Sequence, residues 1–286
     1  MLKIIKAGTS AGSFNQGSEL APDAILENGL EKALHTNKIG FEIIGEIEHQ
    51  TSATARNDIH YLTKINKQIY NFATQNIKSS DRLLTIGGDH SISIGSMFAT
   101  KALEPKAQIL YIDAHPDCND FTNSPTGNIH GMSLSTVLGD SLYKKFNLAK
   151  YSYNEVVILA AKDIDDFERK YITKNKIKMF EMNDIIEHGI GEVLIKTLDY
   201  LGNNPLHVNL DIDSIDAMFS PATGIANQVG LTYREIKYVC EKLASNNIKS
   251  IDLVEVNPKL DPDNKTLNLA IELVITLLDG RWSSYD

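Results

Sequence analysis

A single α/β domain, with a mostly parallel sheet and helices on both faces, is the fold this sequence predicts. Three observations predict it. Short runs with the length and β-branched content of buried strands alternate with longer stretches whose apolar residues fall at helical spacing. Strand and helix repeated in this way build a parallel sheet covered on both sides. No Pro/Gly/Ser-rich linker, low-complexity tract or fixed-period repeat divides the 286 residues, so one domain over 1–286 is the simplest organisation.

The elements follow in order. Ile4 and Ile5 begin a first strand, and residues 56–77 have helical periodicity. Strands are predicted at 83–86 (Leu-Leu-Thr-Ile), 109–112 (Ile-Leu-Tyr-Ile) and 156–159 (Val-Val-Ile-Leu), each short and aliphatic. A helix over 185–201 precedes the strand 206–210. A second helix over 232–246 carries Ile236, Val239, Cys240, Leu243 and Ala244 in a three-and-four rhythm. The strand 251–254 and a helix over 265–279 complete the series. The polar stretch 114–129 has no periodicity and suits a loop lining a site.

Charge and composition exclude several classes. The net charge is −9 and the lysines and arginines are scattered, so neither a phosphate-binding surface nor a basic membrane-facing helix is present and nucleic acid is not an expected partner. Cys118 and Cys240 lie far apart with no CxxC spacing, which argues against a disulfide framework or zinc knuckle and for a reducing compartment. Residues 1–8 lack a signal-peptide core and no run approaches the ~20 apolar residues that span a bilayer. A soluble, cytoplasmic protein is expected, with no membrane partner.

Acidic and histidine-bearing motifs follow the apolar runs. Gly87-Gly88-Asp89-His90, Asp113-Ala114-His115-Pro116-Asp117, Asp211-Ile212-Asp213 and Glu255-Val256-Asn257 all stand where a parallel sheet binds ligands, outside the carboxyl ends of strands. Each alone has a bland reading as a turn former or strand-end acid. Together, His90, Asp113, His115, Asp117, Asp211 and Asp213 gather more negative charge at one edge than unpaired carboxylates tolerate, whereas cations neutralise it. Oxygen donors with two imidazoles and no thiolate suit Mn²⁺, with Co²⁺, Fe²⁺ or Zn²⁺ as substitutes. The donors are too many for one ion. Two bridged ions use them all and can hold a hydroxide nucleophile, which implies hydrolysis without a covalent enzyme intermediate.

These motifs resemble those of the ureohydrolases, and within them the arginase branch. Gly127-Asn128-Ile129-His130-Gly131-Met132, Ser220-Pro221-Ala222-Thr223-Gly224, Gly230-Leu231-Thr232-Tyr233-Arg234-Glu235 and Glu255-Val256-Asn257-Pro258 extend the match in order over nearly the whole chain. The resemblance implies a three-layer α/β/α fold and two Mn²⁺ ions. One would be held by His90, Asp113, Asp117 and Asp211, the other by Asp113, His115, Asp211 and Asp213. It implies attack of the bridging hydroxide on the guanidinium of L-arginine, giving L-ornithine and urea. Asp117 would pass a proton to the departing amine and His130 would shuttle protons, a role imidazole suits. Glu255 would accept from the guanidinium donors. Asn119, Thr126 and Thr232 match substrate-contacting positions, and Asp165 matches the acid facing the α-ammonium group. The resemblance also implies a homo-oligomer, a trimer or hexamer.

Some positions depart from the family pattern. Thr126 stands where serine is usual, Ala217 replaces a proline and so is expected to loosen its turn, and residues 225–229 replace a Gly/Pro-rich stretch. Asn119 and Thr126 are also ordinary loop residues, and Asp165 could simply cap the helix that follows it. Three rivals remain open. An agmatinase or another guanidino or formimino hydrolase would share every metal ligand. A dimetal phosphoesterase lacks the later histidines it needs, since only His188 and His207 follow His130. A metal-stabilised amino-acid sensor would not need Asp117, His130 and Glu255, all of which are present.

Overall fold

The computed structural model describes residues 1–47 and 57–280. Its strands are β1 Leu2–Ala7, β2 Phe41–Glu46, β3 Arg82–Gly87, β4 Gln108–Ile112, β5 Val156–Ala161, β6 Lys178–Glu181, β7 Leu206–Asp211 and β8 Ile248–Val254. They form one sheet in the order β2-β1-β3-β8-β7-β4-β5-β6, and every pairing is parallel. The six predicted strands are all present. The two that sequence reading missed, β2 and β6, are the sheet edges. β2 is largely exposed and β6 has only four residues, so neither carries the continuous apolar run of a central strand.

The helices are α1 Ala21–Ile25, α2 Glu31–Thr36, α3 Ile59–Asn76, α4 Ser93–Leu103, α5 Ser133–Val137 and α6 Tyr143–Phe146, followed by α7 Asp166–Asn175, α8 Met182–His188, α9 Ile190–Leu201, α10 Tyr233–Leu243 and α11 Lys265–Leu277. The helix expected over 56–77 starts at Ile59, where Asp58 caps it by accepting from the His60 and Tyr61 amides; residue 56 lies outside the described residues. The stretch 185–201 is two helices, not one. Gly189, at φ 78, breaks it between α8 and α9.

Side chains alternate across the central strands and make two cores. Leu84, Ile86, Leu110, Ile112, Val208 and Leu210 pack with α1, α2 and α8–α11 on one face. Leu83, Ile109, Tyr111, Val156 and Ile158 pack with α3–α7 on the other. Each such aliphatic side chain, fully buried, contributes about 1.5–3 kcal/mol. The sheet order has a consequence for the site. β3, β8, β7 and β4 are consecutive neighbours, so the four motifs that are far apart in sequence end side by side. Among the described residues no helix is long and apolar enough to cross a membrane.

The turn expected to be loosened at Ala217 is instead pinned. Asp216 accepts from the Met218 amide at 2.8 Å and the Val229 amide at 2.7 Å, and the Ala217 amide donates to Asn227 O at 2.7 Å.

Candidate metal centre

The loop after β3 reaches the cluster because two glycines let it pass close to its neighbours. A Cβ on Gly88 would lie 1.9 Å from Thr9 O, so no other residue fits there without moving backbone. Asp89 then caps a short 3₁₀ turn by accepting from Ser91 N at 2.9 Å, which turns His90 inward. The other two motifs share one device. Asp113 Oδ1 accepts from His115 N at 2.7 Å and Asp211 Oδ1 from Asp213 N at 2.8 Å. Each aspartate bends its own chain back, freeing its second oxygen for the cluster.

Three carboxylates converge on one imidazole nitrogen. His90 Nδ1 lies 3.1 Å from Asp113 Oδ2, 3.2 Å from Asp117 Oδ2 and 2.9 Å from Asp211 Oδ2. A single N–H can bond well to only one of them, and no donor is aligned on the buried Asp113 Oδ2. A cation among these atoms satisfies all of them. His115 Nδ1 repeats the pattern, 3.5 Å from Asp113 Oδ1 and 3.1 Å from Asp213 Oδ2. Two groups therefore have the spacing to hold a metal ion, His90–Asp113–Asp211 and Asp113–His115–Asp213, and Asp113 belongs to both. The donors are four carboxylates and two imidazoles, which fits a hard or borderline divalent cation.

Burial and like charge perturb these groups in the protein alone. Burial, with Asp113 nearby, lifts Asp117 to about 7 against the opposing pull of His90. Burial likewise lifts Asp213 to about 6, and burial with Asp213 and Asp113 beside it raises Asp211 well above the carboxylate range. For His90 and His115 burial favours the neutral form, but the surrounding aspartates outweigh it and hold both rings protonated. Metal ligands must be deprotonated, so ion uptake must expel these protons. Mn²⁺ affinity is therefore expected to rise with pH from about pH 6 upward, with proton release. Calorimetry in two buffers of different ionisation enthalpy measures both, and a pH-independent affinity would contradict this electrostatic account.

Beside the cluster, Glu255 follows β8 with φ 65, an uncommon setting for a side chain other than glycine. Its Oε1 accepts from His90 N at 2.8 Å and lies 3.1 Å from His130 Nδ1. Burial opposes charge on His130, yet Glu255, Asp117 and Asp89 raise it to about 9. A cavity of about 450 Å³ opens over the cluster. His90, His115, Asp117, Asp211, Asp213, His130 and Glu255 line it, as do the buried Asn119 and the more exposed Thr126 and Asp165. Thr232 is elsewhere: it caps α10, accepting from the Glu235 amide, and does not line the cavity.

Asp165 occupies both of its readings at once. Its Oδ1 accepts from Phe167 N and Glu168 N, each at 2.9 Å, as the cap of α7, while its Oδ2 accepts from Asn119 Nδ2 at 2.6 Å. Four residues that matter were not found from sequence. Asn209 Oδ1 lies 2.7 Å from His90 Nε2, Tyr111 stacks on the His90 ring and donates to Asp117 Oδ2 at 2.8 Å, and Asp163 and Glu168 line the cavity. A signal existed for Asn209: in β7 the polar residues His207, Asn209 and Asp211 alternate with Leu206, Val208 and Leu210, which marks a polar strip on one sheet face.

Residues 2–279 match the family described as the Arginase family. An arginase of Neurospora crassa is 33% identical over 287 residues, covering 92% of this chain and 80% of that protein. The crystal structure of an arginase from Bacillus subtilis superposes with a TM-score of 0.92 at 32% identity, covering 99% of each chain. That of an Entamoeba histolytica arginase in complex with L-ornithine superposes with a TM-score of 0.87 at 25% identity, covering 96% of this chain and 97% of that one.

Proposed function

The chain belongs to the arginase family of hydrolases, and on that premise we propose that it cleaves the guanidinium group of L-arginine to L-ornithine and urea with two Mn²⁺ ions held at the cluster. The observation that carries the reading is Asp113, whose two oxygens face two histidines and link two donor groups. His90, Asp117 and Asp211 complete one ion's ligands with Asp113; His115, Asp211 and Asp213 complete the other's. Bound there, divalent metal supplies Lewis acidity at neutral pH.

The remaining steps belong to side chains. Glu255, buried and lining the cavity, accepts from the planar guanidinium donors and orients the carbon over the cluster. Asp117, which accepts from the Tyr111 hydroxyl, takes up a proton during the attack and delivers it to the departing amine nitrogen. His130, held protonated by Glu255 at the cavity wall, moves protons between cluster and solvent. Asn119 and Thr126, which line the same cavity, bind the α-carboxylate, and Asp165 faces the α-ammonium group. The Entamoeba histolytica arginase holds L-ornithine, the product expected here, which supports this choice of substrate.

A second reading, agmatine as substrate, is favoured by one observation: among the described residues no lysine or arginine lines the cavity to meet a carboxylate. Urea release from L-arginine and from agmatine, using chelator-stripped protein with and without Mn²⁺, separates the two. Metal-dependent urea from arginine alone is expected. Urea from agmatine alone would keep the metal chemistry and overturn the assignments of Asn119, Thr126 and Asp165.

Asp165→Asn sharpens that test. Asparagine keeps the α7 cap, whereas alanine would cost about 0.5–2 kcal/mol of stability by losing it. Loss of the charge-assisted contact is expected to lower kcat/KM for arginine by about 10-fold or more and for agmatine by much less. Equal losses on both substrates would remove the ammonium-binding role.

A further inference from the structure

On the sheet face covered by α4, polar side chains are buried below the cluster, in a core that is otherwise mainly apolar. β7 contributes His207 and Asn209, β8 contributes Ser250 and Asp252, and β3 contributes Thr85, none more than 1% exposed. Register sets Thr85 beside Asp252 and Asp252 beside Asn209, so the three form one row across adjoining strands. Strands about 4.8 Å apart bring such a row within reach of one small molecule.

The lower tier of this network is closed. His207 Nε2 lies 3.1 Å from Asp252 Oδ2, which also accepts from Ser96 Oγ. His207 Nδ1 lies 2.9 Å from Thr100 Oγ1, whose hydroxyl donates to Ser96 O at 3.0 Å. His207 Nε2 and Ser96 Oγ thus both engage Asp252 Oδ2. That pair anchors Asp252 by one oxygen. The row above is open: Asp252 Oδ1, Thr85 Oγ1 and Asn209 Nδ2 have no protein partner. Burying such groups unpaired is unfavourable, and a buried water typically makes about three hydrogen bonds.

We infer that Thr85, Asp252 and Asn209 form an internal water site behind the metal centre, and that Asp252, anchored by His207, thereby fixes the Asn209 amide and the tautomer of His90. With its NH₂ drawn towards these acceptors, Asn209 presents Oδ1 to His90 Nε2. That oxygen accepts, so Nε2 carries the hydrogen and Nδ1 offers a lone pair to the cluster. A reversed amide would press N–H against Nε2 and put the hydrogen on Nδ1, where a cation must bind. The inference rests on His90 being a metal ligand, as proposed above.

The test uses the full chain and Mn²⁺ as probe. Calorimetric dissociation constants are measured for wild type, Asp252→Asn, His207→Gln and Asp113→Asn, alongside Leu267→Ala, a core substitution on the opposite face that controls for general destabilisation. Asp252→Asn and His207→Gln are expected to weaken Mn²⁺ binding by about 10- to 100-fold, and Leu267→Ala to leave it unchanged at temperatures where every variant is folded. A high-resolution crystal structure of the Mn²⁺-loaded wild type is expected to place ordered water within hydrogen-bond distance of all three row atoms. No water there, or affinities within about threefold of wild type for both variants, overturns the inference. If one variant fails to fold, Thr85→Val, which removes one water partner and keeps the shape, takes its place with the same direction of effect. Absence of Mn²⁺ binding in wild type, or an unaffected Asp113→Asn, would instead defeat the metal reading, and the crystal structure would still decide the water site.

Discussion

Asp113→Asn is expected to strip the centre of metal and to lower urea release by at least about three orders of magnitude. Asp113 belongs to both compact donor groups, so a single substitution removes a charged donor from each. The asparagine keeps the shape of the side chain and can still accept from the His115 amide, as Oδ1 does now at 2.7 Å. The loss is thus of charge and not of local fold. Elemental analysis after dialysis against a mild chelator reads the first effect and a urea assay the second. Full retention of both ions would mean that Asp113 is a buried bystander, and the reading of the cluster would fall with it.

Asp117→Asn is expected to separate binding from turnover. Asp117 touches His90 at 3.2 Å but belongs to neither of the two compact donor groups, so most metal should remain when it is neutralised. Its carboxyl lines the cavity beside His90 and is placed to relay a proton to the departing amine. Turnover is expected to fall by about 10²–10⁴-fold, with KM changed little. A variant with near-wild-type turnover would exclude the proton-transfer role.

Much of the site was legible because its signals are local. His90, Asp113, His115, Asp117, Asp211 and Asp213 each stand within five residues of the end of an apolar run, and a parallel sheet places such ends on one edge. Asp165 was legible as a helix cap, since a capping box can be read from residues 165 and 168 alone. Asn209, Tyr111 and the His207–Asp252 pair were not singled out. Each lies inside a strand, where its partner belongs to a different element, and nothing local says which face it shares with the cluster.

The sequence by itself therefore determined the strand and helix alternation, the parallel sheet and the six candidate ligands, because periodicity and strand-end position are written in consecutive residues. Only the tertiary structure decided the strand order that sets β8 between β3 and β7, the edge strands β2 and β6, the bending of Asp113 and Asp211 back onto their own chains, the placing of Thr232 away from the cavity and the buried polar row behind His90. Those features depend on which distant segments share a neighbour and which polar atoms are left to find partners once water is excluded, and such choices are made by packing across the whole sheet.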